Sequence, residues 1–123
     1  LIWLLVRLIR GAVASRSRPA EVAEAPSYRG RLACTMGPDV GMEFLLEDEV
    51  TTIGSVGGNS IILSGAGVSK RHAGIKIDNM RFELSDYGST NGTTVNGSPI
   101  NKQFLRDGDD IGIGENTLRF TLK

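Results

Sequence analysis

The stretch "HAGIKIDNMRFELSD", His72–Asp86, decides how the rest of the chain is read. In its second half, Phe82 and Leu84 alternate with Arg81, Glu83 and Ser85. That is the period of two that turns one face of a strand to a core and the other to water. "HAGIKI" precedes it and "DNM" lies between, so the two runs are expected to form a β-hairpin. The same texture extends in both directions. "RLACTM" meets "GPDVG", "MEFLL" meets "EDE", "TTIG" meets "SVGGN" and "SIIL" meets "SGAG", each a short apolar run stopped by turn residues. Downstream, "TTVNGSPI" carries Asn96-Gly97, a strong hairpin signal because both residues tolerate positive φ, and "TLRFTLK" alternates Leu118, Phe120 and Leu122. No run of ten residues beyond Gly30 has a helical period. The expected class is all-β, a β-sandwich or barrel.

Composition agrees. A chain of 123 residues has room for one domain with a core, and 16 glycines against 4 prolines suit a fold with many tight turns. Lys+Arg and Asp+Glu are both 14, so net charge favours no polyanionic partner. Nucleic acid is not expected, and any anion must be held by a local site. Cys34 is the only cysteine, which removes an intrachain disulfide and a cysteine zinc site and fits a reducing compartment.

The first 29 residues read differently. Residues 1–12, opening "LIWLLVRLIR", are mostly apolar, and Arg10, Arg16 and Arg18 follow. A membrane span needs about 20 apolar residues. The segment is therefore read as the inner end of a truncated transmembrane helix with a cytoplasmic arginine flank, the alternatives being an amphipathic interfacial helix, a signal-peptide remnant or a core helix. Residues 13–29, rich in Ala, Ser and Pro, are expected to be a flexible linker, and residues 30–123 the folded domain.

The densest polar cluster is "GVSKRHAGI", Gly67–Ile75, which sets Ser69, Lys70, Arg71 and the sole histidine, His72, side by side. A hydrolytic triad needs a base within reach of the serine and an acid to orient it. Here two cations stand between serine and histidine and would oppose protonation of the imidazole. Catalysis is not expected. "GAGVSK" reverses the Ser/Lys order of a phosphate-binding nucleotide loop, and "DGDDIGIGENTL" puts Ile111 and Leu118 where a calcium loop needs oxygen ligands. No cofactor or metal is expected. The Asn-Gly sequons at Asn91 and Asn96 read as turns.

What remains is anion binding. If His72–Asp86 is a hairpin, the loop carrying Ser69 and Lys70 and the loop "YGSTNGT", Tyr87–Thr93, leave from the same end of the sandwich. Hydroxyls, a lysine and an amide meeting there would suit a phosphate. On spacing alone, turn residues that only brace one another explain the pattern equally well.

The blocks "TIG…NSIIL" (Thr52–Leu63), "VSKRHAGI" (Val68–Ile75), "LSDYGSTNGTTVNG" (Leu84–Gly97) and "LRDGDDIGIG" (Leu105–Gly114) resemble, in order and spacing, the forkhead-associated (FHA) domain family. The resemblance implies a two-sheet β-sandwich of about eleven short strands, binding phosphothreonine peptides and lacking catalytic activity. Carried over by position, it implies that Ser69 and Lys70 reach the phosphate, that Thr90 is a second hydroxyl donor, and that Asn91 holds the peptide backbone. His72 then braces the recognition loops, Arg71 sits at a variable position pointing away, and Gly54 and Gly92 are places no side chain fits. The sequence departs at one position: Ser55 stands where the family typically has a phosphate-clamping arginine. Losing one partner of a desolvated charged pair costs about 2–5 kcal/mol, roughly 30-fold to several thousand-fold in affinity.

These readings lead to an expected module that recognises threonine-phosphorylated proteins on the cytoplasmic face of a membrane, with a Ser/Thr kinase implied upstream. The alternative is a degenerate FHA scaffold that binds partners without phosphate.

Overall fold

The computed structural model describes residues 30–122. The expected apolar segment at 1–12 and linker at 13–29 lie outside the described residues. The described chain forms eleven strands: β1 (Gly30–Met36), β2 (Glu43–Leu46), β3 (Val50–Gly54), β4 (Ile61–Ile62), β5 (Ala73–Asp78), β6 (Arg81–Asp86), β7 (Thr93–Val95), β8 (Ser98–Ile100), β9 (Lys102–Phe104), β10 (Asp110–Ile113) and β11 (Asn116–Leu122). One sheet has the order β2-β1-β11-β10-β7-β8 and the other β4-β3-β5-β6-β9. This is the all-β, two-sheet architecture implied by the sequence.

Register follows from alternation. The antiparallel pairing of β5 with β6 sets Ile75 opposite Leu84 and Ile77 opposite Phe82, so the apolar residues of both strands share a face. In the other sheet, β1 and β11 set Leu32 opposite Phe120 and Cys34 opposite Leu118. The two faces meet in one core, where Leu32, Ile53, Leu84, Ile111, Ile113, Leu118 and Phe120 are fully buried. Phe82 of one sheet and Phe120 of the other pack with ring centroids 5.2 Å apart and planes tilted by 58°. This tilted arrangement suits the ring quadrupoles and ties the layers together. Leu122, in phase with Leu118 and Phe120, lies at the end of β11 and is 38% exposed, so the core stops one alternation short of the apolar pattern.

Two tight hairpins fix neighbouring strands. Asn96-Gly97 turns β7 into β8 with φ of 52° and 85°. The β5–β6 turn is the pair Asn79-Met80, with φ of 52° and 66°, inside the closing pair Asp78 and Arg81. Asparagine takes this left-handed conformation readily, whereas a methionine there crowds its Cβ. The strong pairing on either side holds Met80 in place.

Truncation of Phe120 to alanine removes the ring that joins the sheets and should cost about 3–5 kcal/mol, read as a lower denaturant midpoint at unchanged slope. Met80→Gly should act in the opposite direction, raising stability by up to about 1 kcal/mol through relief of the left-handed strain.

Candidate functional site

The β5–β6 ladder places the start of β5 beside the end of β6, with Ala73 opposite Asp86, and the Tyr87 N–H continues it by donating to the His72 carbonyl at 2.9 Å. The loop before β5 and the loop after β6 therefore leave from one end of the sandwich. The loop after β3 joins them: the His72 N–H donates to Ile53 O at 2.8 Å and the Ser55 N–H to Ser69 O at 3.1 Å.

His72 lies at the centre and is fully buried. Its Nδ1 accepts the Ser69 N–H at 3.0 Å. A backbone amide can only donate, so Nδ1 carries no proton and Nε2 carries it, donating to Gly92 O at 2.9 Å. One ring thus joins the loop before β5 to the loop before β7. Because both nitrogens are committed to backbone, neither is available to deprotonate the Ser69 hydroxyl.

Above this ring, Ser69 Oγ accepts the Thr90 N–H at 3.0 Å, which brings residues 21 apart in sequence side by side. The Ser69 hydroxyl proton stays free to donate. Thr90, Asn91 and Lys70 are exposed next to it, and the Lys70 ammonium has no hydrogen bond or ion pair among the described residues. Asn91 Nδ2 reaches Gly67 O at 3.3 Å, a long bond that closes the two loops on their outer side. Ser55 is half-buried behind Ser69, held by its amide. The loops that carry Ser69 and Lys70 and Thr90 and Asn91 are thus held together at one end of the sandwich, with the last three of these residues exposed.

The glycines differ in kind. A Cβ on Gly54 would run into the Lys70 carbonyl oxygen, so close approach of β3 to the Ser69–Lys70 turn demands glycine. At Gly92 a Cβ would meet open space; the φ of 82° is what favours glycine there.

Two residues that motif reading does not single out hold the loops. Asp86 accepts from the amides of Gly88 and Ser89 at 3.0 and 3.1 Å through Oδ2, and from Ser89 Oγ at 2.6 Å and Thr93 Oγ1 at 2.7 Å through Oδ1. Burial works to raise its pKa, but the Ser89 and Thr93 hydroxyls and the two amides outweigh it and hold the carboxyl below its ordinary value. Asp86 followed by Ser89 is a local turn pattern visible in sequence. Asn59 is less legible: its Nδ2 bridges Val56 O and Lys70 O, both at 2.8 Å, across the β3–β4 loop. Among the described residues no group of three or more His, Cys, Asp or Glu could hold a metal ion.

Comparison with known proteins places this geometry. The family model described as FHA domain matches residues 51–114. The oxoglutarate dehydrogenase inhibitor of Corynebacterium efficiens is 42% identical over 95 residues, covering 77% of this chain and 67% of that protein. The glycogen accumulation regulator GarA of Mycobacterium tuberculosis is 35% identical over 106 residues, covering 86% of this chain and 65% of that protein. Among solved structures, one from a study of phosphothreonine-dependent FHA domain interactions superposes with a TM-score of 0.71 at 32% identity, covering 77% of this chain and 97% of the other. The FhaA FHA domain, solved with the intracellular domain of a second protein, gives 0.68 at 33% identity, covering 74% of this chain and 98% of the other.

Two outcomes test the loop architecture. His72→Ala removes the buried ring and leaves the part-buried Ser69 amide and Gly92 carbonyl without their partner, at up to about 1–3 kcal/mol each. Stability should fall accordingly in denaturant unfolding, with amide chemical shifts moving together at Ser69, Thr90 and Gly92. For Asp86, a depressed folded pKa contributes stability that is present above the unfolded value of about 4 and lost as pH falls through the lower folded value. Amide signals of Gly88 and Ser89 should therefore hold down to about pH 4 and shift only below it; Asp86→Ala should remove that acid transition.

Proposed function

The chain belongs to the FHA domain family, and from that premise we propose that it recognises phosphothreonine in a partner protein through Ser69, Lys70, Thr90 and Asn91. FHA domains are binding modules, and the matched relatives are named as an inhibitor and a regulator. The chain is accordingly a regulatory binder and not an enzyme. The observation that carries the proposal is the Ser69 Oγ–Thr90 N–H bond, locked from beneath by His72, beside a lysine ammonium with no partner among the described residues. Such a site is assembled before any ligand arrives, so little ordering cost is left for binding.

The partner in this reading is a protein phosphorylated by a Ser/Thr kinase. Residues 1–12, acting as a membrane anchor, would hold the domain at the cytoplasmic face, where local concentration offsets a weak site. A second reading, a scaffold that binds independently of phosphate, is favoured by one observation: Ser55, at the position of the clamping arginine, offers a short neutral side chain.

Titration of the 123-residue chain with matched threonine and phosphothreonine peptide libraries separates the two. Selective binding of the phosphorylated set is expected. Equal binding of both sets would establish the scaffold reading in its place. Ser55→Arg should tighten phosphopeptide binding at least about tenfold, since the Ser55 amide is already bonded to the Ser69 carbonyl and the new guanidinium would start beside the hydroxyl pair.

A further inference from the structure

The turn "GPDVG", Gly37–Gly41, has no part in the site described so far. It closes on itself: the Val40 N–H donates to Gly37 O at 3.1 Å, the Met42 N–H to Asp39 O at 3.1 Å and the Gly41 N–H to Cys34 O at 2.9 Å. The Asp39 carboxylate is engaged by the Ser64 N–H at 2.6 Å. With these polar groups satisfied, the loop turns apolar side chains to water. Met36, Val40 and Met42 are 63%, 62% and 51% exposed, three within seven residues. Elsewhere among the described residues the large exposed apolar side chains come one to a strand or loop. A single exposed leucine needs no explanation, whereas a group of this kind marks a contact surface.

This loop stands at the recognition end. β1 runs antiparallel to β11 and sets Met36 opposite Thr117, so the β1–β2 loop lies beside the β10–β11 turn. Asn116, 1% exposed, joins both to the loop that carries Ser69: its Nδ2 donates to Ser64 O at 2.8 Å and its Oδ1 accepts the Asp39 N–H at 3.4 Å. Ser64 is thereby gripped at both of its backbone groups. Gly65 lies against the same turn, where a Cβ would come within 2.8 Å of the Pro38 ring. Two residues on, Gly67 O takes the Asn91 amide. The apolar loop and the loops of the proposed phosphothreonine site therefore adjoin and are held in one geometry.

We infer that Met36, Val40 and Met42 form a second contact surface for the partner protein, apolar and independent of phosphate, which the partner covers with a leucine- or phenylalanine-bearing segment remote from its phosphothreonine. The inference rests on the phosphothreonine reading and deepens it. Three such side chains offer on the order of 300 Å², short of the roughly 600–1,000 Å² that each side of a stable interface buries. They suit a partner already anchored next to them better than a second copy of this chain. The charges in and beside the loop are Asp39 and Glu43, with no cation, which disfavours an anionic lipid surface. For a ligand held at Ser69 and Lys70 the apolar contact becomes intramolecular, so a small burial raises affinity in a site that has Ser55 at the position of the clamping arginine.

The test uses the full 123-residue chain and a phosphothreonine peptide selected by it, extended on either side. A Leu-Leu or a Ser-Ser pair is placed at successive positions about five to ten residues from the phosphothreonine, a reach of roughly 16–33 Å when extended. In one register the Leu-Leu peptide should bind about three- to tenfold more tightly than its Ser-Ser counterpart. Val40→Ser combined with Met42→Ser should bring the two to the same level and leave the Ser-Ser peptide unchanged, because both side chains lie outside the core. Lys70→Ala should weaken both peptides alike. Absence of a Leu-Leu preference in every register, or a preference that survives the double substitution, overturns the surface while phosphothreonine recognition stands. A dimer in sedimentation, or binding to phosphatidylserine vesicles, that the double substitution abolishes gives the surface to another occupant and overturns it as well. Equal binding of the Ser-Ser peptide with and without its phosphate overturns both readings.

Discussion

One buried imidazole sets the position of everything at the recognition end. His72 has no solvent exposure, and both its nitrogens bond to backbone groups from two different loops, Ser69 N–H and Gly92 O. A buried polar ring has to satisfy both nitrogens or bear a desolvation cost, so each partner loop has one position at which that requirement is met. The Ser69–Thr90 contact exists because that position brings their loops together. His72 also occupies the step from loop to strand, its own N–H and carbonyl extending the pairing of β5 to Ile53 and Tyr87. The site is thereby continuous with the sheet that carries it.

The rest of the architecture divides the work between rigidity and access. The two sheets supply a core locked by Phe82 and Phe120, and the strand ends deliver three loops to one place. Asp86 and Asn59 absorb the backbone amides and carbonyls that these loops would otherwise leave unpaired. Side chains suited to an anion remain outside that network. The Ser69 hydroxyl engages only as an acceptor, and the Lys70 ammonium is free among the described residues. A loop stabilised by residues that do not touch the ligand can change its ligand-facing residues at little structural cost. Ser55 illustrates this: its structural contact is made through its amide, which any residue but proline would provide.

Family membership and this geometry bear on each other. The relatives show that the fold serves regulatory binding, while the identity of what is bound lies with a few exposed side chains. Here the exposed side chains of the joined loops include Lys70, Thr90 and Asn91.

The sequence by itself determined the strands whose two faces differ. β6 and β11 were legible because alternate residues must be buried, and the β7–β8 hairpin because Asn96-Gly97 accepts positive φ at both positions. The blocks around Ser69 and Thr90 were legible as motifs. Other elements carry no such mark. All of β9 is exposed, so it is a strand only because β6 offers hydrogen bonds. The left-handed Met80 contradicts its residue type and is imposed by the ladder it closes. Tertiary structure also decided the tautomer of His72 and the bridge made by Asn59, because each depends on contacts between residues distant in the chain. Local alternation records which way a side chain faces; only the packed sheets decide what it meets there.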